Sequence, residues 1–181
     1  MKALRIILIV LIVLVGGYAI WMATIEPEYH VKRTAIIEAE PEQVYATVSD
    51  FKTWKDWSKW HKMDPEMEVT YGDKSAGEGA TYSWKGEEAG AGTQTITAAV
   101  PNESLETHIA FEGRGESDGY WKFEPVDEGT QVTWGFTGEM PFLYLRIFLG
   151  MDESVGGDFE EGLANLKEKV ESMPVAEKAV S

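Results

Sequence analysis

The sequence predicts an α+β domain in which a curved antiparallel sheet wraps around a long C-terminal helix, with an apolar helix ahead of the domain. Three observations carry this reading. Residues 6–23 form an uncharged, mostly apolar run behind Lys2 and Arg5. From Met67 to Gly138 apolar residues recur with period two, in six successive stretches separated by turn-forming residues. From Val155 to Met173 the period changes to that of a helix.

The first run would be about 27 Å long as a helix, close to the ~30 Å hydrocarbon core of a bilayer, and it has no polar face. It is expected to be an uncleaved transmembrane anchor over residues 1–23, with Tyr18 and Trp21 at an interfacial level. Lys2 and Arg5 should remain in the cytoplasm and place the rest of the chain on the extracytoplasmic side, although Lys32 and Arg33 follow on the far side. Residues 24–28, with Pro27, read as a linker, residues 29–173 as one domain, and residues 174–181 as a flexible tail.

Within the domain, residues 29–39 read as a strand with Val31, Ala35 and Ile37 in alternation. Pro41 follows at a first-turn position between Glu40 and Glu42, which suit the positive end of a helix dipole. Residues 51–60 read as a second short helix or turn with Trp54, Trp57 and Trp60 three apart. The strand faces that follow are Met67, Val69, Tyr71; Tyr82, Trp84; Ile96, Ala98, Val100; Leu105, Thr107, Ile109, Phe111; Trp121, Phe123; and Val132, Trp134, Phe136. Short Gly-, Asn- and Asp-containing separators favour a meander of antiparallel neighbours. Val155, Phe159, Leu163, Leu166, Val170 and Met173 make one helical stripe, with Asp152 or Ser154 expected as its N-cap and Pro174 as its stop. A sheet with one apolar face must cover it, and this helix is the element available to do so.

The local patterns are Pro41-x-x-Val44-Tyr45, Asp50-Phe51-x-x-Trp54-x-x-Trp57-Ser58-x-Trp60 and Asp64-Pro65-x-Met67. They continue with Gly79-Ala80-x-Tyr82-x-Trp84-x-Gly86, Phe123-x-Pro125, Gly129-Thr130-x-Val132-x-Trp134, Gly138-x-Met140 and Asp158-Phe159-Glu160-x-Gly162-Leu163-x-Asn165-Leu166-Lys167. Over residues 29 to about 172 the chain resembles the START-like (SRPBCC) superfamily, in its polyketide cyclase/dehydrase-like branch. Lys59 departs from that branch, where proline is frequent at this position. The resemblance implies a helix-grip fold and a cavity between sheet and C-terminal helix that holds lipids, quinones, polyketides or other hydrophobic molecules. It implies no catalytic set common to all members.

The residues support such a cavity independently. Tyr82, Trp84, Trp121 and Trp134 fall on inward faces of different strands, beside a helix that carries Phe159 and is interrupted by Gly162. Glycine within a helix costs about 1 kcal/mol relative to alanine, so a close approach by a ring or ligand is a reason for it. These six residues are the ligand-binding candidates, with no catalytic role attached. Residues 142–151 form a second apolar stretch that could act as a lid or touch a bilayer. The three tryptophans of residues 54–60 are expected to pack beneath the sheet rim.

Several function classes find no support. Residues 24–181 carry 14 of the 16 Lys and Arg and all 31 Asp and Glu, a balance of −17 that offers no cationic footprint for nucleic acid. Without cysteine there is no disulfide or thiol chemistry. His30, His61 and His108 form no metal-ligating pair, and neither metal nor cofactor is expected. His108 should face solvent; His61 is the titratable candidate for a cavity mouth, with surface placement the simpler expectation. Gly115-Glu116-Ser117-Asp118-Gly119 matches a nucleophile-elbow pattern but lies before a strand, where the elbow needs a helix. The leading expectation is a membrane-anchored domain binding a hydrophobic small molecule or lipid. Alternatives are a cyclase/dehydratase-type enzyme using a cavity acid or His61, the weaker reading, and a ligand-free protein-interaction or stress-related module.

Overall fold

The structure, a computed structural model, describes residues 2–23, 28–113, 115–139 and 151–174. Seven strands, β1 (Glu28–Ile37), β2 (Glu68–Tyr71), β3 (Thr81–Lys85), β4 (Ala91–Val100), β5 (Ser104–Phe111), β6 (Gly115–Val126) and β7 (Gly129–Glu139), form one sheet. The order is β1-β7-β6-β5-β4-β3-β2 and every pairing is antiparallel. The predicted meander is therefore present from β2 to β7, and β1 closes beside β7. The helices are α1 (Lys2–Ala23), α2 (Pro41–Ser49), α3 (Trp54–Trp57), α4 (Lys59–Met63) and α5 (Met151–Glu171).

The stripe on α5 buries Phe159, Leu163, Leu166 and Val170 against the inner face of the sheet, which presents Val31, Ile37, Ile96, Leu105, Trp121, Val132 and Trp134. On α2, Glu40 is in extended conformation at the cap, Pro41 opens the first turn, and Val44 and Val48 are buried. The side chains of α5 also reach the outer strand. Lys167 Nζ donates to the Ile36 carbonyl at 2.8 Å, and the Glu38 amide donates to the Glu171 carboxylate at 2.8 Å. The Glu38 bond, ahead of Lys167, holds the Glu171 carboxyl below its usual range.

Four expectations need correction. The chain leaves helical conformation at Ser58 (φ −58°, ψ 131°), so residues 51–60 form a 3-10 turn (Phe51–Thr53), α3 and the start of α4 instead of a single short helix or turn. The break lets the Trp57 ring drop fully into the core. On β4 a bulge between Ile96 and Ala98 shifts the register, so Ala98 faces Glu106 and Ala99 faces Leu105. The inner residues are thus Gln94, Ile96 and Ala99, while Val100 is exposed. Asp152 and Ser154 lie inside α5 and so do not cap its start. The domain's first strand begins at Glu28, one residue inside the expected linker. The apolar stretch of residues 142–151 lies outside the described residues except for Met151, as does the tail beyond Pro174.

The apolar N-terminal run lies within a helix of 22 residues, and its large side chains from Ile6 to Trp21 are exposed. Side chains of α1 are described only over residues 5–21, and among those described residues no helix is long and apolar enough to cross a membrane.

Asp64 shows how the loops are fixed. Its carboxylate is 9% exposed and accepts the amides of Glu88 and Ala89 at 3.0 and 3.2 Å, tying α4's end to the β3–β4 turn. A Cβ at Gly86 would stand 2.1 Å from the same carboxylate oxygen, which explains glycine there. Asp64→Ala is expected to lower unfolding stability by about 2 kcal/mol through two orphaned amides, read as a reduced denaturation midpoint at unchanged slope.

Candidate functional site

The inner face of the sheet is legible from its register. Across the strands, Trp84, Gly92, Phe111 and Gly115 form one row; Tyr82, Gln94, Ile109 and Ser117 the next; Ile96, Thr107, Gly119 and Phe136 a third. Leu105, Trp121 and Trp134 follow. The large rings stand at the perimeter of this grid, and the short or polar side chains Gln94, Thr107, Ser117 and Gly119 occupy its middle, with Ile96 and Ile109. All but Gly119 of that middle set are at most 9% exposed, and Gly119 is buried too.

The perimeter is a continuous circuit of rings. Tyr82 stacks on Trp84 (5.5 Å between centroids), Trp84 meets Phe111 edge-on (5.9 Å), Phe111 meets Phe136 (6.3 Å) and Phe136 meets Phe159 (5.9 Å). Phe159 lies nearly parallel on Trp134 at 4.0 Å, Trp134 on Trp121 at 4.3 Å, and Trp54 joins Trp121 to Tyr82 at 6.4 and 6.3 Å. All five predicted aromatic candidates are in this circuit. Gly162 completes it from α5: a Cβ there would come within 2.8 Å of the Trp134 ring. The close approach inferred from a glycine in mid-helix is a contact with Trp134.

Sequence reasoning missed Trp54, Phe111 and Phe136 as part of this frame, and Gln94, Ser117 and Gly119 as its floor. Strand pairing was the missing information, since polar residues at Gln94 and Ser117 belong to the inner face only once the register is known. The Gly-x-Ser-x-Gly pattern lies wholly within β6, so no elbow exists. His108 points outward as expected, with Nδ1 2.8 Å from Asp118 and Nε2 3.6 Å from Glu116.

His61 is the departure from expectation. Its ring lies 5.8 Å from that of Tyr82, and both ring nitrogens are buried without a partner among the described residues. Burial holds the imidazole below its usual range, and burial, ahead of the Tyr71 hydroxyl, pushes the Tyr82 phenol up. A neutral His61 can donate at one nitrogen and accept at the other. Among the described residues no second titratable group bonds to it. Among the described residues no group of His, Asp and Glu could hold a metal ion.

Two grooves open to solvent border this interior. One, about 650 Å³, is lined by the outward residues His30, Glu106, Asp118, Tyr120, Lys122 and Thr137, and also by Leu105, Thr107, Gly119 and Trp121 of the inward set. The other, about 400 Å³, lies at the strand ends around Trp84, Lys85, Thr93, Phe111 and Glu112. Lys59 bridges α4 to α5 through Asp158 at 2.6 Å and Glu161 at 3.0 Å. These partners, Asp158 foremost, raise its pKa. The residue that departs from the proline frequent in the resembled branch thus clamps the helices over the sheet.

A seven-stranded antiparallel sheet gripping a C-terminal helix through a buried aromatic frame defines a helix-grip domain. The chain belongs to the polyketide cyclase/dehydrase and lipid transport family, whose model matches residues 28–171. Solved structures agree in fold. The KanY protein is 20% identical over 80% of this chain and 99% of its own (TM-score 0.61). A Staphylococcus aureus protein of unknown function is 16% identical over 80% and 94% (TM-score 0.63), and Ara h 8.0201 is 15% identical over 81% and 99% (TM-score 0.52). No curated protein matches the chain.

Two measurements probe the site. Gly162→Ala should gain about 1 kcal/mol of helix propensity and lose about 1–3 kcal/mol to overpacking against a buried ring, so a net fall in melting temperature is expected. For His61, a folded pKa below the unfolded value of about 6.5 means that the unfolded chain binds the extra proton. Stability is therefore full above about pH 6.5 and falls as the pH drops below it, and His61→Phe should flatten that acid loss in denaturation series.

Proposed function

We propose that this domain holds a hydrophobic small molecule or lipid on the polar floor framed by the aromatic circuit, and that α1 anchors it in a membrane with the domain on the extracytoplasmic side. The observation that carries the ligand reading is the combination itself. Rings wall off an area whose floor is short and polar, a division of labour suited to apolar ligands with a few polar atoms. The six residues Tyr82, Trp84, Trp121, Trp134, Phe159 and Gly162 supply walls in this reading. For the anchor, support comes from a helix of 22 residues, about 33 Å at 1.5 Å per residue, with Lys2 and Arg5 at its start. Membrane attachment places the domain where hydrophobic ligands partition.

One observation favours a different reading, a ligand-free interaction module. Trp134 is packed against Phe159 at 4.0 Å and Trp121 at 4.3 Å, with no room for a further group between the rings. A ligand would have to lie beside this stack, over Gln94, Thr107 and Gly119, with α4 or the frame moving to admit it.

Native mass spectrometry of the full chain, recovered from alkaline-washed membranes of the source cell, separates the two. A stoichiometric lipid, quinone or polyketide-like adduct is expected. A bare chain that also takes up no hydrophobic probe would overturn the ligand reading in favour of the interaction module.

A further inference from the structure

Two polar groups on the inner face, one of the frame and one of the floor, have no hydrogen-bond partner among the described residues: the indole Nε1 of Trp121 and the hydroxyl of Thr107. Their residues are 1% and 3% exposed. Three other indoles, two of them buried (Trp54 and Trp57) and one half-buried (Trp84), are paired. Trp54 donates to the Val48 carbonyl at 2.9 Å, Trp57 to the Thr53 hydroxyl at 3.4 Å, and Trp84 to the Ala89 carbonyl at 3.2 Å. A buried donor left unpaired is costly, so two on one patch require a reason.

Their placement supplies one. Trp121 pairs with Leu105 and Thr107 pairs with Gly119, so the two side chains are diagonal neighbours on the inner face of β5 and β6. Gly119 lets the hydroxyl pack over its backbone, since a Cβ there would stand 2.5 Å from Thr107 Oγ1. An indole N–H can only donate, and a threonine hydroxyl can donate as well as accept, so the complement of the pair is a hydrogen-bond acceptor. Charge narrows the class further. Among the described residues no lysine or arginine is buried. Arg33 and Lys59, beside α5, are each already paired with a glutamate or aspartate. A carboxylate or phosphate brought onto the floor would lose its hydration without meeting a counter-ion.

We infer that Trp121 and Thr107 read an uncharged acceptor, a ketone, quinone or ester carbonyl, on an otherwise apolar ligand, and that the floor rejects anionic lipids. This rests on the ligand-binding reading above and adds to it the polar chemistry of the ligand.

The test is calorimetric titration of the full chain in lipid nanodiscs, against empty nanodiscs, with three probes of one shape. These are 2-acetylnaphthalene, the hydrocarbon 2-isopropenylnaphthalene, and 2-naphthoate. The ketone is expected to bind about tenfold more tightly than the hydrocarbon, with naphthoate weakest. Thr107→Val and Trp121→Phe should each reduce the ratio of ketone to hydrocarbon affinity from about tenfold toward one. Thr107→Val should also leave the free protein no less stable, because it removes an unpaired hydroxyl at nearly constant shape. It therefore decides the matter even where Trp121→Phe perturbs the core. Equal binding of ketone and hydrocarbon, or preferential binding of naphthoate, overturns the acceptor readout while leaving a hydrophobic site in place. Failure of all three probes to bind overturns both the readout and the ligand reading beneath it.

Discussion

The distance between sheet and C-terminal helix is set by one stack of three rings, Trp121 on Trp134 on Phe159, and the absence of a side chain at Gly162 lets it form. Each aromatic pair contributes roughly 0.5–1.5 kcal/mol beyond area burial, so two such contacts outweigh the about 1 kcal/mol that glycine costs in mid-helix. Most other interior features follow from that spacing. Beside that stack, α3 and α4 contribute Trp54, Trp57 and His61, which meet the frame rings Tyr82, Trp121 and Trp134.

Polar anchors outside the core secure the covering helices. Lys59 holds Asp158 and Glu161, Lys169 holds Asp56 at 2.7 Å, and Lys62 donates to Asn165 at 2.8 Å. These bonds all cross between α5 and the segment of residues 56–62. Individually such half-exposed pairs contribute about 0–1 kcal/mol, so they fix alignment more than they add stability. The rings supply most of the energy that keeps the helix in place, and the salt bridges select its rotation and register.

The fold was legible because two periodicities dominate the chain: period two in six consecutive stretches and a single helical stripe after them. The aromatic half of the site was legible for the same reason, since Tyr82, Trp84, Trp121 and Trp134 are bulky residues in phase with their strands. The polar half was not, because a glutamine, a serine and a glycine on a strand look like solvent-facing residues until neighbouring strands are aligned. The bulge after Ile96 hid a second fact, since strict alternation carried the inner face wrongly to Ala98 and Val100. His61 was misjudged for a related reason. Its ring meets Tyr82, a residue of β3 distant in sequence, from a helix that starts anew after Ser58.

The bonds from α5 to the first strand bear on a different property, colloidal behaviour. β1 is an edge strand, and an edge ordinarily offers unsatisfied amides and carbonyls to any passing chain. Here Lys167 and Glu171 occupy the Ile36 carbonyl and the Glu38 amide, and the Arg33 guanidinium takes the Lys32 carbonyl at 2.9 Å. At the opposite edge β2 is only four residues long. Neither border is a ready template for strand addition, so copies of this domain held at high local density can approach one another without templating intermolecular sheet growth.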